Sequence, residues 1–231
     1  MRIIKKFGRP ISAVPNEDKS IFLRFDFDEE ECRYPEGDFD IRGGVCWPIT
    51  YQINGTLESG GHILVAGKNL DSGIVTIFEQ QEFMFVEPII NRETQLIEFP
   101  GISNFLNNAY ANYYCQKYYW HQNSEIAKQY RIEITRSQMI KPKPSFIEVP
   151  WGDGSSDAGH IIWKFVKANR LQYKKGSELH KQLELTKIDT KQMYPATHAL
   201  QCVLMGMSRF PFRRRVPDIH SPVSVDVGFF R

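Results

Sequence analysis

The sequence predicts an α+β fold: a β-rich single domain with a central antiparallel sheet (about 62–99), one aromatic-rich helix (about 103–120) and extended, arm-like termini. Three observations carry this. Residues 62–99 hold runs of β-branched and aromatic side chains, broken by Gly67–Gly73, Glu79–Glu82 and Pro88–Glu93, the pattern of short strands joined by turns. Ser103 stands before Phe105, Leu106, Ala109 and Tyr113, which recur at helical spacing, so it is placed to cap a helix. Both ends of the chain are rich in bases and prolines, which suits extended segments.

Taken in order, residues 1–15 read as a basic arm, 16–207 as a mixed core domain and 208–231 as a Pro/Arg-rich tail. Within the core, Ile21, Leu23, Phe25 and Phe27 alternate with Arg24, Asp26 and Asp28, as in a half-buried strand. Gly43-Gly44 predicts a break, followed by a strand over 49–53. Residues 130–135, 145–149 and 160–166 read as further strands, and 177–185 and 196–207 as helices. The alternation of 130–135 supports the first of these strands.

The 231 residues are 42% hydrophobic and 24% charged, ordinary for a globular chain large enough to bury a core. Aromatic content is 13%, and large rings supply much burial per residue. Net charge is +2 but unevenly spread: residues 16–40 hold ten acids against three bases, and 117–187 hold thirteen bases against seven acids. Cys32, Cys46, Cys115 and Cys202 show no zinc-ligand spacing, so neither a metal nor another cofactor is expected and free thiols are. The N-terminus lacks the apolar stretch of a signal peptide and no window is long enough to span a membrane. A soluble protein of intracellular origin, cytoplasmic or virion-borne, is expected.

Several constellations bear on function. Gly44-Val45-Cys46-Trp47, with Gly159-His160 about a hundred residues later, resembles the nucleophile and base motifs of papain-like cysteine proteases. That resemblance implies a thiolate at Cys46 activated by His160. Asp26 and Asp28, two apart on a strand, followed by Ser59-Gly60-Gly61-His62, resemble the first motifs of archaeo-eukaryotic primase-polymerases. That resemblance implies metal-dependent nucleotidyl transfer by Asp26, Asp28 and His62. Asp71 with Glu79 admits a nuclease-like reading, poorly spaced and short of lysine.

Tyr110, Tyr113, Tyr114, Tyr118, Tyr119 and Trp120 crowd one predicted helix. Such stripes are more often packing or subunit contact than a stacking platform for nucleic acid. No catalytic set converges in the sequence, so a non-enzymatic role leads. The leading expectation is a structural or assembly subunit of a large complex, such as a phage tail, baseplate or connector component. Its contacts to other protein subunits would run through Arg2, Lys5, Lys6 and Arg9, through Tyr113, Tyr114, Tyr118, Tyr119 and Trp120, and through Arg213, Arg214 and Arg215. Nucleic acid is the secondary expectation for a partner, and a membrane is not expected.

Overall fold

A computed structural model describes residues 12–15, 21–24, 37–83, 89–90, 97–98, 100–121, 132, 134–137, 140–150, 156–186 and 194–211. Its strands are β1 (Ser12–Pro15), β2 (Ile21–Arg24), β3 (Phe39–Ile53), β4 (Thr56–Asn69), β5 (Val75–Phe83), β6 (Ile89–Ile90), β7 (Ile97–Glu98), β8 (Lys117–Trp120), β9 (Ser145–Glu148) and β10 (Leu171–Gln172). Its helices are α1 (Pro100–Tyr113), α2 (Ser156–Lys167), α3 (Glu178–Leu185) and α4 (Pro195–Arg209).

The expected α+β class holds. Six strands form one sheet in the order β10-β5-β4-β3-β8-β9, and β1-β2 and β6-β7 form separate two-stranded pairs. β3, β4 and β5 are an antiparallel core, and β8, β9 and β10 add to it in parallel. The β3–β4 hairpin turns at Asn54 and Gly55, whose φ angles are 48° and 85°. Asn-Gly with both φ positive is the pairing that matches the right-handed twist of the flanking strands.

Side chains alternate between the two faces of the sheet, as the period of two requires. Val45, Trp47, Ile63, Val65 and Phe78 pack with Ile102, Phe105, Leu106 and Ala109 of α1 on one face. Cys46, Leu64, Ala66 and Ile77 pack with residues of α2, α3 and α4 on the other. The sheet is thus sandwiched between helices.

Five sequence expectations change. β3 runs unbroken through Gly43-Gly44, because the helix behind it leaves no room for a side chain: a Cβ on Gly44 would strike the carbonyl of Ala199 in α4. Glu79–Glu82 is not a turn but the interior of β5. The aromatic helix ends at Tyr113, and residues 117–120 are strand β8. Tyr118, Tyr119 and Trp120 are all buried, and a short apolar run buried on both faces cannot be told from helix by periodicity. Residues 160–166 lie in α2 rather than a strand, with Ile162 and Val166 facing the core at helical spacing. The described residues of the expected 130–135 strand, 132, 134 and 135, are helical.

One polar group is built into the sheet–helix contact. The Arg42 guanidinium grips Asp40 through Nε to Oδ1 at 2.9 Å and Nη2 to Oδ2 at 2.8 Å. Its Nη1 donates to Tyr119 Oη at 2.7 Å and to the Gly206 carbonyl at 3.1 Å, and Nη2 donates to the Phe210 carbonyl. Arg42 and Asp40 are both buried, so removing the cation strands a carboxylate in a dry site. Arg42→Ala is expected to cost roughly 3–5 kcal/mol, against about 0.5 kcal/mol or less for the exposed Lys117→Ala. Urea denaturation of the two variants checks this, and equal midpoints would refute it.

Candidate functional site

The sheet is unevenly closed at its β5 side. β4 pairs with β5 along nearly its whole length, from Val75 to Phe83, but β10 pairs only with Val75 and Thr76. Past Thr76 the outer edge of β5 has no strand partner among the described residues. The chain leaving β10 turns away through Gly176, φ 73°, and enters α3. The result is a groove of about 300 Å³, with β5 residues 77–80 and 82 on one wall and Lys174, Gly176, Ser177 and Glu178 on the other. It opens at the carboxyl ends of β5 and β10, the side of an open sheet where ligands commonly bind.

Hydrogen bonds fix the groove's floor. Ser177 is the N-cap of α3 and its Oγ accepts from His180 N at 3.3 Å. Gln80 Oε1 accepts from Leu179 N at 3.3 Å and lies 3.1 Å from His62 Nε2. Since a backbone N–H can only donate, the Gln80 atom facing it is the carbonyl oxygen, and His62 must donate to it from Nε2. That leaves His62 Nδ1 as an acceptor, and it has no partner among the described residues. The ring is 1% exposed, and burial pushes its pKa down to about 4. It is a neutral imidazole at pH 7.

The carboxylates make the opposite demand. The pKa of Glu82 is raised by burial, then by the charges of Glu178 and Glu58, while Tyr51 and Lys181 oppose the rise. Tyr51 links Glu82 and Glu58 through its hydroxyl, and its own pKa is raised by burial and by the same acids. Lys174 makes no ion pair with a described residue. The groove therefore gathers Glu82 and Glu178 at one end, the latter 3.4 Å from Lys181 and accepting from Gln182 Nε2, with one ammonium, Lys174, near β10. Perturbed groups gathered in a cleft mark a functional-site candidate. No three His, Cys, Asp or Glu side chains gather to hold a metal ion among the described residues.

Of the residues singled out in the sequence, only His62 reaches this groove. Cys46 and His160 are not brought together. Cys46 is buried in β3 with its Sγ donating to the Trp47 carbonyl at 3.3 Å, and burial followed by the neighbouring Cys202 holds its pKa well above the usual thiol range. His160 is exposed on α2. A thiol held neutral in the core cannot serve as the papain-like nucleophile. Ser59–His62 is the interior of β4 rather than a loop, and Asp26 and Asp28 lie outside the described residues.

The aromatic set is also dispersed. Tyr118, Tyr119 and Trp120 are core, and Tyr113 stacks on Phe78 at 5.3 Å. Tyr114, with φ 54°, is the exposed member of the five interaction residues proposed from this stretch. Arg2, Lys5, Lys6, Arg9 and Arg213–Arg215 lie outside the described residues. Sequence reasoning missed Glu58, Glu82, Lys174 and Glu178. The tetrad Glu79–Glu82 was the available signal, since polar and charged residues within a strand mark a sheet edge.

No family model and no curated protein matches the sequence. Among solved structures the chain is similar to the fowlpox virus Holliday junction resolvase, with a TM-score of 0.38 and 7% identity over 74% of this chain and 99% of that one. Set against this finding, the tail, baseplate or connector expectation is corrected and withdrawn; the papain-like alternative falls with the buried, neutral thiol of Cys46, and the primase-like one is not carried further. A likeness this slight carries no resolvase activity to this chain. Among the described residues no helix is long and apolar enough to cross a membrane.

Two measurements test this description. In a Cys32→Ser variant, iodoacetamide near neutral pH should leave Cys46, Cys115 and Cys202 unmodified until urea unfolds the chain, because all three are buried with raised pKa values. Fast labelling of Cys46 in the folded protein would contradict it. For His62 the unfolded ring takes up a proton near 6.5 and the folded ring near 4. Its contribution to stability is whole above about pH 6.5 and is lost as pH falls toward 4, on the order of 3 kcal/mol in all. Wild type should thus lose more stability than His62→Gln between pH 7 and 4.5, and equal losses by urea titration would refute it.

Proposed function

We propose that the chain is a binding protein whose groove at the β5 edge captures a ligand through positive charge on that ligand. The observation that supports this most directly is the gathering of Glu82 and Glu178 on the groove wall, with Glu58 joined to Glu82 through Tyr51; this, after burial, raises the pKa of Glu82. Carboxylates that repel one another in a half-buried site hold unused binding energy for a cation, because a positive group placed among them relieves the repulsion and gains charge-assisted hydrogen bonds. Lys174 at the far end of the groove adds an anion contact. The ligand is therefore cationic at one end.

Cation capture is coupled to proton release from Glu82, so affinity should rise with pH until Glu82 is fully ionised and then level off. Spermidine serves as a probe. Calorimetry at low salt should show binding that weakens about tenfold, roughly 1.4 kcal/mol, in Glu82→Gln and again in Glu178→Gln. Binding unchanged in both variants, or absent in the intact chain, would overturn the reading.

A further inference from the structure

We infer that the ligand of this groove is an extended peptide segment carrying lysine or arginine, which adds as a strand to the open edge of β5. The inference rests on the cationic-ligand reading above and adds the main chain to it. A strand next to β5 is already begun: β10 pairs with Val75 and Thr76 and then departs, leaving the lattice position beside Ile77–Glu82 without a strand among the described residues. Six strand residues extend about 20 Å at roughly 3.3 Å each. Along that length one edge of β5 presents main-chain donors and acceptors to the groove, and strand addition is the binding mode that uses such an edge.

The side chains that flank the edge decide which strand is admitted. An open edge invites any extended segment, and proteins guard against this with charge. Here the guard is acidic. Glu79, Glu82 and Glu178 line the groove and repel an acidic strand, including the same edge of a second copy. A basic strand turns that repulsion into attraction. Position along the edge matters too. Lys174 lies just past β10, near the start of the groove, whereas Glu82 is at the far end of β5 and its charge is coupled to that of Glu178. Basic residues of the bound peptide therefore sit opposite Glu82, and a neutral or acidic residue sits beside Lys174. Register is thus set by the two ends of the groove.

The test uses the full chain and a blocked heptapeptide alternating valine with lysine, followed by fluorescence anisotropy and by amide hydrogen exchange. Three comparison probes are the same peptide N-methylated at alternate amides, the peptide with glutamate for lysine, and oligothymidylate of similar length. Strand addition predicts that the lysine peptide binds and that N-methylation weakens it at least tenfold while leaving its charge intact. It also predicts no measurable binding of the glutamate peptide and slowed exchange at edge-facing amides within 77–82. Equal binding of the N-methylated peptide would overturn strand addition while leaving charge capture standing. Failure of the lysine peptide alongside normal spermidine binding would do the same. Failure of both would remove the two readings together, and tighter binding of oligothymidylate than of the lysine peptide would assign the groove to a different class of partner.

Discussion

The structure depends on how closely α4 lies against the sheet. Gly44 in β3 meets the backbone of Ala199, and Gly206 in α4 meets the ring of Tyr119 in β8. Neither position has space for a Cβ. A helix this close excludes water from the contact, and the polar groups caught there must satisfy one another. Arg42 does this by joining Asp40, Tyr119 and the last carbonyls of α4 in one bidentate knot. The ring of Tyr119 also receives the guanidinium over its face at 5.5 Å and stacks with Phe210 at 6.0 Å. Packing and charge pairing here reinforce each other: the glycines bring the helix in, and the arginine fixes where it ends.

That arrangement determines which residues are unavailable for chemistry. Cys46, Cys202 and His198 all lie at the α4–sheet contact, fully buried, and burial drives the thiols up and His198 down to about 3. Each is held in its neutral form by lack of solvation. Residues that look nucleophilic or basic in the sequence are core here. Among the described residues the same central strands leave the β5 edge without a strand partner past Thr76, because β10 is only two residues long and α3 begins at Glu178. The titratable groups that keep contact with solvent lie at that edge, where partial burial perturbs Glu82 above the fully buried His62.

Charge distribution gives the edge its selectivity. Glu58 reaches Tyr51 across the β3–β4 pairing, where the two residues are register partners. Glu82 is the register partner of His62 across β4–β5, and Glu178 arrives from α3. Three acids from three elements therefore act on one site, though they are separated by up to 120 residues in the chain. Antiparallel pairing does most of this work, since it sets residues from both strands side by side at about 5 Å.

The sequence by itself determined the α+β class and the helices over 177–185 and 196–207, because each depends on local signals: strand composition punctuated by turn formers, and the make-up of a short helical stretch. It also showed charge segregated along the chain. It misplaced the aromatic run at 117–120, read 160–166 as a strand and took Glu79–Glu82 for a turn. In each case the deciding factor was a neighbour distant in sequence: β3 and β9 flanking β8, the sheet beneath α2, and β4 beside β5. Only the tertiary structure decided that Gly43-Gly44 is strand interior, that Cys46 and His160 stay apart, and that Glu82, Lys174 and Glu178 share a groove with His62 while Glu58 acts on Glu82 from beside Tyr51. Sheet pairing and helix docking are contacts between remote segments, and one-dimensional periodicity carries no record of which segments will meet.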